Sequence, residues 1–419
     1  MKTNHLNHIT EKLIRITAVL LLAVMTVFAA AACTENKPEP TEMPEITAKP
    51  APAEPTVDPE SFDYSEKVLD AAAILEHSKI QGRTALVSYS PKKSVPERDM
   101  IALDYSASSV TFYAYCEGSV EMTFYTKNTN IGGNKLYLSV YVDDVQQGSS
   151  RADFRLTGSK EITLVLAENL SKGLHKFTVE KQSEAERGAV YIEEMKLSGE
   201  LWGKPEDNKI FIEFIGDSIT TGYGNLWPDL SDGEKGANAA ANEYVDGTRT
   251  YAVLAAKSIG ADYSVVAQQG IGCVIGWYPH TMTETYEMRC YQANRKEPWT
   301  FPRKADVVVI NLGTNDTGFY HAGSCDRKKL EDGFRNFLRL VRDKNPDSKI
   351  VWAYGMMDTS SVGMIRAAVE DVGGSEKGFY FVELSSNGAG GNGHPTLAAH
   401  EQNAATLAEF LRTLLNIPA

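Results

Sequence analysis

"KIFIEFIGDSITTGYG", Lys209 to Gly224, decides the fold. A nearly unbroken apolar run ends in a glycine, an acid and a serine, and small and polar residues then take over. Such a run reads as a strand covered on both faces. Four more follow: "YSVVAQ" (263–268), "DVVVINL" (306–312), "KIVWAYG" (349–355) and "GFYFVEL" (378–384). Between them lie stretches with apolar residues at helical spacing, among them Leu330, Phe334, Phe337, Leu338 and Val341, and the closing run from Leu397 through Leu407, Phe410, Leu411 and Leu414. Strand and helix alternate, which predicts a doubly wound parallel sheet over residues 204–419 with its ligands at the carboxyl ends of the strands.

Upstream the texture differs. From residue 61 to residue 203 the apolar residues recur with period two, in "SVTFYAYC", "VEMTFYT", "KLYLSVYVDD", "KEITLVLAEN", "HKFTVEKQ" and "AVYIEEMKL". Leu136, Leu138, Val140 and Val142 would share one inward face. Regular Gly, Asn, Asp and Ser between the runs favour an antiparallel β-sandwich. "LWGKPEDNK" (201–209) reads as the linker between the two patterns.

The amino terminus is of another kind. Lys12 and Arg15 precede the uncharged "ITAVLLLAVMTVFAAAAC", which fits a secretory leader over residues 1–32. The small residues before Cys33 resemble a bacterial lipoprotein signal, in which Cys33 becomes the lipidated first residue, although Ala30 stands where leucine is usual. A plain cleaved leader and an uncleaved anchor are the alternatives. Residues 33–60 are rich in Pro, Glu and Thr and read as a semi-extended tether. The expectation is an exported protein, held at the cell surface through Cys33 or otherwise secreted, with no later span long enough to cross a membrane.

The 419 residues allow about two to three domains. With 42 Lys and Arg against 55 Asp and Glu, the formal charge is −13, which disfavours nucleic acid and suits neutral substrates. Apart from Cys33 there are four cysteines, Cys116, Cys273, Cys290 and Cys325, with no zinc-site spacing. Neither a metal nor another cofactor is expected.

The strand ends carry the chemistry. Gly216 permits a tight turn that exposes Ser218, "VVAQQGIG" brings Gly270 after the second strand, "VVVINLGTND" brings Asn315 after the third, and "GGNGHP" brings His394 after the fifth. Acyl transfer at a serine needs a hydroxyl, a base and donors for the developing oxyanion. Ser218 offers the hydroxyl, His394 the base, and the N–H groups of Ser218 and Gly270 with the Asn315 amide the donors, with Gly272 the alternative to Gly270.

These four blocks, GDS at 216–218, the glycine at 270, GTND at 313–316 and HP at 394–395, together resemble the SGNH subgroup of the GDSL hydrolases. A period-two half joined directly to such a domain, with "TMTETYEMR" before the third strand, resembles carbohydrate esterase family 2. That resemblance implies a jelly-roll domain beside the hydrolase and an acetyl esterase acting on plant polysaccharides or their oligosaccharides, such as xylan and glucomannan. An esterase of peptidoglycan O-acetyl groups or lysophospholipid, and a carbohydrate-binding surface protein with a vestigial hydrolase half, are the rival readings.

In SGNH hydrolases a carboxylate usually stands three residues before the histidine, and here that place is Gly391. Either a main-chain carbonyl or the Asn392 side chain must then hold the His394 ring. Trp227, Trp277 and Tyr278, with Tyr223, are expected around the cleft, where flat rings suit sugars. Asp217 and Asp316 read as loop braces, and Trp352 as core. His280 and His321 lack ligand spacing, and His400 lies on the last helix. Adjacent Glu193 and Glu194 point to opposite faces of a strand and cannot form a glycosidase pair.

Overall fold

The computed structural model describes residues 58–90, 96–128, 135–158, 160–227, 242–292 and 295–418. The leader, Cys33 and nearly all of the tether therefore lie outside the described residues.

The amino-terminal half is an antiparallel sheet. Its centre is built from β1 (Ser109–Asn128), β2 (Lys135–Val142), β3 (Glu161–Lys181) and β4 (Gly188–Leu201), in the spatial order β4-β1-β3-β2. The runs "SVTFYAYC" and "VEMTFYT", expected as two strands, are the single strand β1. Around Gly118, at φ +74°, its register against β3 slips, so the glycine marks a bulge that bends the strand instead of a turn that ends it. The two runs expected at 160–181 are likewise one strand, β3, with Asn169 at φ +56° inside it. Phe112, Met122, Phe124, Phe177, Val179 and Ile192 fill the core against these strands.

The inward face of β2 is as expected, with Leu136, Leu138, Val140 and Val142 all buried. Its other face is buried too. The Arg151 guanidinium stands 4.0 Å from the Tyr137 ring centre, and Gln182 donates to Ser139 Oγ at 2.7 Å, so polar neighbours cover what a lone sheet would leave wet.

The carboxyl-terminal half is a parallel sheet of β5 (Phe211–Gly216), β6 (Asp262–Ala267), β7 (Val307–Asn311), β8 (Lys349–Tyr354) and β9 (Phe379–Glu383), ordered β6-β5-β7-β8-β9. Ile215, Val308, Ile310 and Trp352 face α4 (Arg327–Lys344) and α5 (Val362–Asp371). Phe214, Val307, Val309 and Val351 face α2 (Tyr251–Ser258) and α6 (Leu397–Leu415). With both faces covered, the strands are apolar almost throughout, which is the signature that "KIFIEFI" carries. The order reverses between β5 and β7, and loops leaving the carboxyl ends there open the crevice where such sheets bind ligands. α1 (Ser218–Thr221) and α3 (Thr314–His321) begin at those two ends.

The two halves meet through buried charge. Arg83 donates to Glu213 on β5 at 3.1 Å and to the Met288 carbonyl at 2.5 Å, with both side chains of the ion pair almost fully buried. Arg289 pairs with Asp104 at 2.6 Å. At the edge strand β6, Tyr263 N–H donates to Gln81 Oε1 at 2.7 Å and its carbonyl accepts Gly82 N–H at 3.3 Å. Cys116, Cys273, Cys290 and Cys325 are free and buried. Among the described residues, no helix is long and apolar enough to cross a membrane.

Arg83→Met should destabilise the protein by about 3–5 kcal/mol in urea unfolding, because Glu213 is left buried with its charge uncompensated. A loss below about 1 kcal/mol would mean that this pair does not hold the halves together.

Candidate active site

Ser218 stands where β5 turns into α1. Asp217 begins the helix, its Oδ1 accepting Ile219 N–H at 3.0 Å, and Gly222 ends it at φ +79°. The turn is too tight for any residue but glycine at 216, since a Cβ there would lie 2.0 Å from Thr220 Oγ1. The hydroxyl this turn presents, on a side chain only 5% exposed, lies 2.8 Å from His394 Nε2.

His394 Nδ1 faces the main-chain carbonyls of Gly391 at 3.1 Å and Asn392 at 3.3 Å. Carbonyls only accept, so Nδ1 carries the hydrogen and Nε2 is left to receive the serine proton. The Asn392 side chain does not hold the ring. Its amide donates to the Tyr223 hydroxyl at 2.8 Å, while its backbone sits at φ +54° and so turns two successive carbonyls toward one nitrogen. The loop is pinned from below, Gly391 N–H donating to the Gly224 carbonyl at 3.1 Å and Leu397 N–H to that of Asn225 at 3.2 Å. Burial pushes His394 down to about 4, against a partial upward pull from the two carbonyls.

The prospective oxyanion donors follow the carboxyl ends of β5, β6 and β7. The N–H of Ser218 and that of Gly270 have no backbone acceptor among the described residues. The Asn315 amide donates to the Ile271 carbonyl at 2.9 Å and, at a long 3.4 Å, to Asp217 Oδ2, so one of its two hydrogens is only weakly held. Gly270 stands at φ +75°, where a Cβ would lie 3.3 Å from Trp277 and 3.4 Å from Tyr278, whereas a Cβ at Gly272 would meet the Ile275 carbonyl at 1.7 Å.

Asp316 accepts the N–H groups of Cys273, Val274 and Ile275 at 2.6–2.9 Å, which ties the loop after β6 to α3. Burial raises Asp316 to about 6 and Asp217 to about 7, the first partly offset by those three donors.

The aromatic residues divide. Trp277 is 57% exposed and packs edge-on against Phe319 of α3 at 5.4 Å, and half-buried Tyr278 stacks on His280 at 5.2 Å. Trp227 does not line a cleft. It is 5% exposed and packed on Tyr244 at 4.5 Å, its large apolar area being worth more inside than at a rim. Tyr223 is also buried, with its ring 4.6 Å from that of His394. His280 contacts Gln268, His321 contacts Ser360, and buried His400 accepts Tyr251 N–H at 3.1 Å. Trp352 is core, and Glu193 pairs with Arg98. Among the described residues, no cluster of His, Cys, Asp or Glu could hold a metal ion.

Sequence reasoning missed the turn at 182–187 in the antiparallel half. Glu184 accepts Gln269 N–H, Glu186 accepts from the Gln268 side chain, and Arg187 donates to Gln269 Oε1, so three charged residues flank the Gly270 loop. "QSEAERG" reads as an ordinary solvated turn, and only the distant glutamines give it another role.

A serine and a neutral histidine in hydrogen-bond contact, at the reversal point of a doubly wound sheet and beside unspent N–H donors, define a serine-hydrolase type of site. Residues 214–414 match the GDSL-like lipase/acylhydrolase family, and the chain carries a GDSL/SGNH lipase–acylhydrolase domain there. The cellulase/esterase CelE of Acetivibrio thermocellus is 28% identical over 339 residues, 74% of this chain and 39% of that protein. An acetylxylan esterase/glucomannan deacetylase of Cellvibrio japonicus is 29% identical over 171 residues, 36% of this chain and 41% of that protein. The chain thus spans about two-fifths of the length of these curated relatives. A family two carbohydrate esterase from Clostridium thermocellum, solved in complex with cellohexaose, has the same fold, with a TM-score of 0.68 at 24% identity over 81% of this chain and 99% of that one.

If the neutral ring is the active base, kcat/KM for a small ester should hold as pH falls from about 7 to about 5 and halve near the depressed His394 value of about 4. An acid limb centred on the ordinary histidine value of 6.5 would contradict the desolvated ring.

Proposed function

We propose that the protein is a carboxylic ester hydrolase that removes O-acetyl groups from plant polysaccharides or their oligosaccharides, xylan and glucomannan among them. The observation that carries this reading is the 2.8 Å contact between Ser218 Oγ and a His394 ring whose tautomer is fixed by main-chain carbonyls. The names of the curated relatives supply the substrate class.

In this mechanism Ser218 Oγ attacks the acetyl carbonyl as His394 Nε2 takes its proton. Charge developing on the carbonyl oxygen is met by the N–H groups of Ser218 and Gly270 and by the Asn315 amide, which gives up its long contact with Asp217. The imidazolium then returns the proton to the departing sugar oxygen, leaving acetyl-Ser218. Water, deprotonated by the same nitrogen, attacks that ester, and acetate and free serine follow. Exposed Trp277 and half-buried Tyr278, close to Gly270, are the rings against which a sugar would stack. The antiparallel half is read as a jelly roll that completes the unit.

The outer residues belong to the same proposal. Leader, lipidated Cys33 and tether would hold the enzyme at the cell surface, and Cys33→Ser should then move it from the membrane fraction to the soluble one. Retention of that variant in washed membranes would remove the lipid anchor from the reading.

Acetate release from acetylated xylan and glucomannan, compared between wild type and Ser218→Ala, tests the assignment of the nucleophile. Equal release by the two would overturn it. Asn315→Ala should lower kcat by roughly 10²–10³ with KM little changed, because its interaction belongs to the transition state. A rise in KM at unchanged kcat would make Asn315 a ground-state binding group. Asn392→Ala should cost less than about tenfold in kcat, whereas His394→Ala should remove most activity.

A further inference from the structure

Gly270 has no side chain to anchor it, and its positive φ is one that many loop conformations could supply, so its amide takes its direction from its neighbours. Those neighbours are gripped from the other half of the molecule. Glu184, fully buried, accepts Gln269 N–H through Oε2 at 3.2 Å and Arg187 Nε through Oε1 at 2.9 Å. Arg187, 1% exposed, donates in turn to Gln269 Oε1 at 2.8 Å. Both the backbone and the side chain of Gln269 are therefore held by one buried ion pair.

The same pair reaches toward the base. The Arg187 guanidinium lies 5.7 Å from the centre of the Tyr223 ring, and Tyr223 packs edge-on to His394 while its hydroxyl accepts from Asn392. The turn that presents the pair is itself fixed. Lys181 Nζ, buried among carbonyls, donates to those of Asp104 at 2.6 Å, Ser183 at 2.8 Å and Glu184 at 3.3 Å. Ala185, at the tip, is part of the apolar core beneath β5 and β7.

We propose that the Glu184–Arg187 pair is a positioning device, supplied by the antiparallel half, that aims the Gly270 N–H at the reacting carbonyl oxygen. This rests on the reading of Ser218, His394 and Gly270 as an esterase site. A buried ion pair is a weak source of net stability, since apolar residues of similar volume often serve as well, and its geometry is what those residues would not reproduce. The antiparallel half then contributes to turnover of every ester, including those too small to touch a sugar-binding surface.

The test uses 4-nitrophenyl acetate and the full chain. Glu184→Gln puts an NH₂ group where one carboxylate oxygen now accepts, so either Gln269 N–H or Arg187 Nε–H loses its acceptor. The expected result is a fall in kcat of about 10- to 100-fold with KM unchanged, short of the 10²–10³ for removing an oxyanion donor outright. The double variant E184Q/R187M leaves no unpaired buried charge and should recover the thermal midpoint while kcat stays low. Full recovery of kcat in that variant would overturn the proposal, because the pair would then be only structural. An effect on KM alone would overturn it as well. Should the double variant fail to fold, Gln269→Ala carries the test: it removes the acceptor of Arg187 and the side-chain contact with Tyr223 while leaving the backbone N–H on Glu184, and an unchanged kcat there would overturn positioning. Ser218→Ala, run alongside, separates the two levels, since activity surviving that change would remove the esterase reading itself.

Discussion

Charge buried between two sheets is the constraint on which this structure depends. Arg83 on Glu213 and Arg289 on Asp104 bury cations that are satisfied only when antiparallel and parallel halves are in register, and Lys181 among three carbonyls fixes the neighbouring turn from within the antiparallel half. Apolar contacts tolerate small sliding, whereas a buried ion separated from its partner loses several kcal/mol. The seam is therefore a rigid reference frame. The turn at 182–187 hangs from that frame, the Gly270 loop from the turn, and the His394 loop from Gly224 and Asn225 beside them.

His394 is oriented without a carboxylate. Two main-chain carbonyls fix the tautomer of His394 as an acid would, but they bring no negative charge to balance the imidazolium that proton transfer creates. Burial makes that balance harder, since the neutral ring is the favoured form. In the proposed mechanism the demand falls on the donors that face the oxyanion, Ser218, Gly270 and Asn315, which must stabilise it strongly enough to draw the proton across. A site of this design relies more on the direction of its N–H groups than a charged triad does, which accords with the effort spent holding Gln269.

The parallel sheet was legible because strands covered on both faces leave continuous apolar runs, and "KIFIEFI" and "DVVVINL" carry no other reading. Ser218, Gly270, Asn315 and His394 were legible as a set because each follows such a run. The bulged strands were not. Gly118 and Asn169 carry positive φ, as turn residues do, and only pairing on both sides shows that the chain passes through them. Trp227 and Trp277 look alike in sequence, and their exposures of 5% and 57% are set by tertiary packing alone. Glu184 and Arg187 were illegible for a sharper reason. Charged residues in a turn are nearly always solvated, and their burial follows from Gln269, more than 80 residues away.

The covered edge of β6 has a consequence for how such a protein can be inherited. Gln81 and Gly82 saturate the Tyr263 backbone at the border of the parallel sheet, so the hydrolase half has no finished surface there of its own. A recombination breakpoint in the linker between β4 and β5 would release a sheet with an open rim ready to pair with another chain. The two halves accordingly fall within one compact unit, and neither is a finished surface without the other along that edge.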